Sequence, residues 1–177
     1  MVTLSLVFMA LLDPYITNLP NVPEPAIIQP QFSIPQLADR VVVYKQRRLL
    51  ELWSQGDRMH QYPIALGKNA TGAKQKEGDL RTPEGRYTLD WRNNVDSLYH
   101  LSMHISYPNA TDQQWADQRG FSPGGLIMIH GQPNWLAGFA PVYRPYDWTL
   151  GCIAVSNVAM EEIWRAVLDG TPIDIYP

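Results

Sequence analysis

Nine consecutive residues, 99–107, alternate without a break: Tyr99, Leu101, Met103, Ile105 and Tyr107 are large and apolar, and His100, Ser102, His104 and Ser106 between them are polar. A period of two is the strand period, so the segment predicts a strand with one face in a core and the other facing water or a cleft. Such a strand needs partners. Residues 40–44 and 49–53 are β-rich runs on either side of the polar turn 45–48 and read as a hairpin. Residues 62–66 give another strand closed by Gly67, and residues 86–91 resume as strand after the turn Thr82-Pro83-Glu84-Gly85. An apolar run from Gly124 to Ile129 delivers His130-Gly131 at its end, and residues 173–176 alternate as a closing strand.

The helical signal is clearest after residue 156. Met160, Ile163, Trp164 and Val167 recur at helical spacing, Glu161 and Glu162 suit the positive end of the helix dipole, Asn157 is placed to cap it, and Gly170 and Pro172 end it. A shorter helix is expected over 111–119, capped by Thr111 and stopped at Gly120. The fold class expected is therefore mainly β (α+β), a sandwich or barrel with one packed C-terminal helix. A chain of 177 residues, 45% hydrophobic, supports one such core rather than two. The net charge of −3 offers no basic stripe, so nucleic acid is not an expected partner.

Before residue 38 the patterning differs. Residues 1–12, MVTLSLVFMALL, are apolar but shorter than the roughly 20 residues of a spanning helix, and read as a signal or anchor segment. Residues 13–37 are proline-rich, a composition that neither continues a helix nor pairs as a central strand, and read as a linker. The domain proper is expected over 38–177. An exported chain with a single cysteine cannot close an internal disulfide, which makes Cys152 either a liability or a reagent. It follows Gly151 and precedes a capped helix, a setting that predicts oriented N–H groups, an oxyanion hole and a lowered thiol pKa. His130, at the end of its apolar strand, is the candidate general base.

These residues carry a resemblance. His130-Gly131, then Thr149-Leu150-Gly151-Cys152 nineteen positions later, then Asn157, together with GKNATGAKQKEGDLRTPEGRYTL over 67–89, resemble the L,D-transpeptidase catalytic domain, also called the YkuD domain. The resemblance covers nearly all of 38–177. It implies a β-rich catalytic domain acting on peptidoglycan stem peptides in the periplasm or cell envelope, with no cofactor or metal. Cys152 would be the nucleophile and His130 its base, the Gly131 carbonyl would orient the imidazole, and N–H groups near Gly151 and Cys152 would hold the oxyanion. The thiolate would attack the L-centre carbonyl of diaminopimelate and leave a thioester.

Two positions depart from the family pattern. Leu150 stands where the family commonly has histidine, and Ala154 where it commonly has arginine. TLGCIAVSN and YHLSMHISYPN look most like the YafK branch, which is linked to hydrolysis of the bond joining an outer-membrane lipoprotein to peptidoglycan. The chemistry implied is thus either L,D-transpeptidation or hydrolysis releasing wall-bound lipoprotein. Thr149, His100, His104 and Arg144 are the candidate substrate-binding residues, with Arg81, Arg86 and Arg144 as replacements for the missing cation. Residues 132–147, rich in Pro, Gly and aromatics, suggest a lid. Membrane contact is expected only through the N-terminal segment.

Two other readings compete. His100 and His104 are four apart, as in helical zinc sites, but in a strand pattern and without the glutamate of H-E-x-x-H. The loss of polar groups at Leu150 and Ala154 also permits a catalytically inactive cell-wall-binding domain.

Overall fold

A computed structural model describes residues 36–95, 97–136 and 146–177. The segment 1–12, nearly all of 13–37, Arg144 and most of the 132–147 segment lie outside the described residues. Among the described residues, eight strands and two α-helices follow in chain order: β1 Arg40–Tyr44, β2 Leu49–Ser54, β3 Asp57–Pro63, β4 Gly85–Asn93, β5 Ser102–Ile105, α1 Ala110–Asp117, β6 Met128–His130, β7 Ile153–Ala154, α2 Asn157–Ala166 and β8 Thr171–Tyr176. The strands form one sheet in the order β3-β2-β1-β8-β4-β5-β6-β7. The fold is the mainly β domain with a packed C-terminal helix that the patterning predicts.

β8, the last strand in sequence, lies at the sheet's centre, parallel to β1 and antiparallel to β4. Its Ile173 and Ile175 enter the core, while Asp174 on the other face takes Arg40 and Arg86. β1 is buried along Val41, Val42 and Val43, as a β-branched run between two neighbours should be. The sheet curls until its two ends meet. Just beyond β3, the Ala65 N–H donates to the Ala154 carbonyl at 2.9 Å and the Ala154 N–H to the Ala65 carbonyl at 2.8 Å, tying one end of the strand order to β7 at the other. Inside the curl, Leu50, Leu52, Leu89, Met103, Ile105, Ile129 and Ile153 pack with Ala159, Met160 and Ile163 of α2 in one core cluster.

Several boundaries differ from those the sequence suggests. β3 begins at Asp57 rather than Tyr62, because Gln55 and Gly56 both take positive φ (54° and 89°) and make the two-residue turn that lets β3 fold straight back on β2. The alternating segment forms continuous strand only from Ser102, since Leu101 sits in left-handed conformation (φ 50°) and leaves Tyr99 with only an isolated bridge, to Pro133. Met103, Ile105 and Tyr107 are buried as the alternation requires. Asn109, not Thr111, caps α1, accepting from the Thr111 and Asp112 N–H groups in a capping box with Asp112. Ser156, not Asn157, caps α2. Asn157 is thereby released for another use.

Candidate active site

β6 and β7 run parallel, with Ile129 beside Ile153 and His130 beside Ala154. Cys152 lies two residues before Ala154, so strand spacing and rise set the His130 and Cys152 backbones about 8 Å apart, within reach of two side chains. Tyr99 packs on the imidazole, its ring centroid 4.0 Å from that of His130, and burial first, then the charge at Cys152, raises its phenol pKa. Trp148 flanks the imidazole at 5.7 Å, edge to face, and lies 6.2 Å from the Tyr99 ring.

His130 is 1% exposed. Its Nδ1 donates to the Gly131 carbonyl at 2.7 Å, which fixes the tautomer and leaves Nε2 as the acceptor. Burial drives its pKa down to about 4, against the smaller upward pull of that hydrogen bond. The imidazole is neutral at pH 7. Gly131 is itself clamped. Its N–H donates to the His100 carbonyl at 2.9 Å, and a Cβ there would lie 2.5 Å from that oxygen and 2.7 Å from Asn157 Oδ1. Asn157 uses the same Oδ1 to accept the Gln132 N–H at 2.7 Å. The residue expected as a helix cap instead fixes the loop that follows His130.

The thiol side is built differently. Cys152 is half-buried, and its Sγ reaches the Leu126 carbonyl at 3.7 Å. Burial pushes the thiol pKa up, while a hydrogen bond from the Met128 backbone and the positive charge of Lys74 pull it down. The direction is opposite to the lowered value expected from the sequence, because desolvation of the thiolate outweighs the nearby donors. The resting pair is therefore neutral thiol and neutral imidazole. Among the described residues no hydrogen bond joins the two.

Thr149 is buried, and its hydroxyl closes the turn, accepting the Gly151 N–H at 3.1 Å and donating to the Cys152 carbonyl at 2.7 Å. The Gly151 N–H is thus engaged, leaving the Cys152 N–H as the donor without a partner among the described residues. Gly151 has φ 139°, and a Cβ there would lie 2.8 Å from the Arg81 carbonyl, so the segment carrying Arg81 approaches the residue before Cys152 too closely for any side chain at 151. Leu150 is 71% exposed and Leu126 72% exposed, an apolar rim at the thiol. Ala154 is buried in β7.

The remaining expected residues are spread out. His100 Nε2 lies 3.2 Å from Glu161, and its backbone, rather than its ring, supports Gly131. His104 pairs with Asp90 at 2.7 Å and stacks on Trp91, away from His100's partner. Arg86 pairs with Asp174 on the sheet, and Arg81 reaches the Ala73 carbonyl at 3.5 Å. Among the described residues no group of three or more His, Cys, Asp or Glu is arranged to hold a metal ion. Lys74 is the cation whose charge acts on Cys152, and sequence reading missed it along with Tyr99 and Trp148 as walls of the imidazole. The signal available was Lys74 standing five residues before Asp79, its ion partner at 3.0 Å.

Comparison with known proteins gives the family. The family model for the L,D-transpeptidase catalytic domain, YkuD, matches residues 38–175. YafK of Escherichia coli (strain K12) is 29% identical over 150 residues, which is 77% of this chain and 53% of YafK. The chain spans about half the length of the curated relatives it matches. The helical cell shape determining protein Pgp2 from Campylobacter jejuni superposes with a TM-score of 0.61 at 29% identity, over 77% of this chain and 46% of that one. An L,D-transpeptidase from Mycobacterium smegmatis, 14% identical, shares the fold with a TM-score of 0.52 over 78% of this chain and 58% of its own. With the model match running from the first bridge residue, Ala38, into the central strand β8, the chain belongs to the L,D-transpeptidase catalytic domain (YkuD) family.

Proposed function

We propose that the protein is a cysteine enzyme of the cell envelope that cleaves peptidoglycan stem peptides at the L-centre carbonyl of diaminopimelate. One observation carries the reading: a buried imidazole whose Nδ1 is locked on the Gly131 carbonyl, so that only Nε2 can take a proton, on a strand paired with the one that follows the sole thiol. On attack the Sγ proton passes to His130 Nε2 as the sulfur–carbon bond forms, and the Cys152 N–H is placed to donate to the resulting oxyanion. Collapse breaks the bond to the leaving amine, which departs with the His130 proton and leaves a thioester. A water then gives its proton to Nε2 and attacks; the sulfur–carbon bond breaks and the thiol regains its proton.

Water is favoured over an amine as the resolving nucleophile because the acceptor side lacks polar anchors. Leu150 presents an exposed apolar side chain where an imidazole would stand, and Ala154 is sealed into the sheet. The substrate bond in this reading joins a wall-bound lipoprotein to the stem, and residues 1–12 export or anchor the chain. The test is mass spectrometry of muropeptides released from lipoprotein-bearing sacculi, with Cys152→Ala as control. Cysteine-dependent loss of lipoprotein-linked stems without new diaminopimelate-to-diaminopimelate links is expected. New links would make it a transpeptidase, and full activity in Cys152→Ala would overturn the mechanism.

A further inference from the structure

The face of the sheet turned away from the core carries a groove of about 310 Å³, lined by Arg40, Val42, Tyr44, Trp53 and Tyr176 of β1, β2 and β8. The strand register puts these side chains together: Arg40 lies opposite Trp53, Val42 opposite Glu51 and Asp174, and Tyr44 opposite Tyr176. Their neighbours Val41, Val43, Leu52, Ile173 and Ile175 enter the core on the other side, as alternation along a strand requires. Tyr44 and Tyr176 stack with ring centroids 5.7 Å apart, and Tyr176 is exposed.

Charge on this face is layered. The carboxylates Glu51 and Asp174 are buried, Glu51 accepting from Trp53 Nε1 and Arg58, and Asp174 from Arg40 and Arg86. The guanidinium-bearing side chains lie outside them, 42% exposed at Arg40, 49% at Arg58 and 74% at Arg86. Arg47, in the turn between β1 and β2, makes no ion pair among the described residues and sits over the Tyr44 ring at 4.8 Å. Water therefore meets cations and aromatic rings here, on a chain whose net charge is −3.

That combination selects its partner. A neutral glycan would use the rings and leave the guanidiniums idle, and a soluble polyanion would use the guanidiniums and leave the rings idle. A bilayer with anionic lipids is negative at its surface and apolar just beneath, so phosphates meet arginine while Tyr and Trp sit at the boundary. The position suits this too. β1 is four places from β6 in the strand order, and because the two ends of the sheet meet, the groove faces away from the strands that carry His130 and Cys152.

We propose that the outer face of β2, β1 and β8 is a docking surface for an anionic phospholipid bilayer, with the cleft turned away from the membrane. Arg40, Arg47, Arg58 and Arg86 meet lipid phosphates, and Tyr44, Trp53 and Tyr176 lie at the headgroup boundary. This contact is separate from any made by residues 1–12.

The experiment is hydroxyl-radical footprinting of the full chain on vesicles of phosphatidylcholine alone and on vesicles that also contain phosphatidylglycerol. Oxidation of Tyr44, Trp53 and Tyr176 is expected to fall several-fold on the anionic vesicles only, while exposed Trp135, beside the site, stays reactive. Holding by residues 1–12 is common to both vesicles and is subtracted by the first. In co-sedimentation, Arg47→Gln with Arg86→Gln should weaken binding to the anionic vesicles roughly 25-fold, at about fivefold per cation, and Lys at both positions should restore it. Asp174 keeps Arg40 in these variants. Equal protection on both vesicles, protection of Trp135 in place of Trp53, or binding that the two Gln substitutions leave unchanged overturns the docking surface. Protection of the three rings by sacculi but not by vesicles identifies the wall as the occupant and overturns it as well.

Discussion

The two halves of the site are held in opposite ways. Around His130, every group behind the ring is locked: Nδ1 on the Gly131 carbonyl, Gly131 on the His100 backbone, Gln132 on Asn157, and the His130 carbonyl on the Val155 N–H at 2.9 Å. Around Cys152, a hydroxyl braces the turn from within, an outside loop presses on Gly151, and the rim is exposed leucine. On the proposed chemistry a base must keep one tautomer and one direction, which backbone bonds from several elements enforce here at His130. On the same proposal a nucleophile must admit a peptide and change charge, which the half-open turn at Cys152 allows.

The largest effect should come from the open half. Cys152→Ala is expected to remove at least about a thousandfold of turnover on sacculi while leaving the melting temperature nearly unchanged, since it deletes a nucleophile and no packing of consequence. A loss of fold in that variant would break the contrast. On the locked half, Gly131→Ala forces its Cβ against the His100 carbonyl and should lower kcat by about a hundredfold together with the melting temperature, because a displacement of about 1 Å at the base is enough. Unchanged kcat would show the clamp to be dispensable.

The pH dependence separates the halves again. Because the folded-state pKa of His130, about 4, lies below its ordinary 6.5, the unfolded chain takes up that proton first as pH falls. Stability contributed by the neutral ring is complete above about 6.5 and is lost down to about 4, a total on the order of 3 kcal/mol. Urea titrations across that window should show the decline, and His130→Gln should flatten it. At Cys152 the sign is reversed: burial favours the thiol, so the rate of alkylation by a small neutral reagent should still be climbing above pH 9. A plateau near pH 7 would mean a preformed thiolate instead.

Asn157→Ala should cost about 1 to 3 kcal/mol by stranding the Gln132 N–H, with a modest fall in kcat, whereas Ser156→Ala should cost about 1 kcal/mol through the helix cap alone and leave kcat unaltered. The smallest change is predicted at the rim. Leu150→His should leave stability within about 0.5 kcal/mol, since the side chain is exposed. Its measurable consequence is in product partitioning between water and added amine.

Much of the fold was legible because it follows local rules. The alternation of Met103, Ile105 and Tyr107, the apolar run ending at His130 and the helical spacing of Met160 and Ile163 are period arguments that need no partner, and Met103, Ile105, Tyr107, Ile127, Ile129, Met160 and Ile163 are buried. The motif His130-Gly131 with Gly151-Cys152 was legible as a resemblance. Illegible were the features that depend on who arrives from elsewhere. Asn157 looks like a cap until Ser156 proves closer to the Ala159 N–H, and Lys74 looks like one more loop lysine until Asp79 and Lys76 bury its ammonium. The left-handed turn at Leu101 carries no glycine to announce it.

By itself the sequence determined the strand and helix periods, the single thiol, and the glycines at 131 and 151, because periodicity, residue count and a missing Cβ are properties of the chain alone. The tertiary structure decided the ionisation of the site. Whether an imidazole and a thiol rest neutral or charged depends on how much water the curled sheet, Tyr99, Trp148 and the 72–82 loop exclude, and desolvation is summed over neighbours that no stretch of sequence contains.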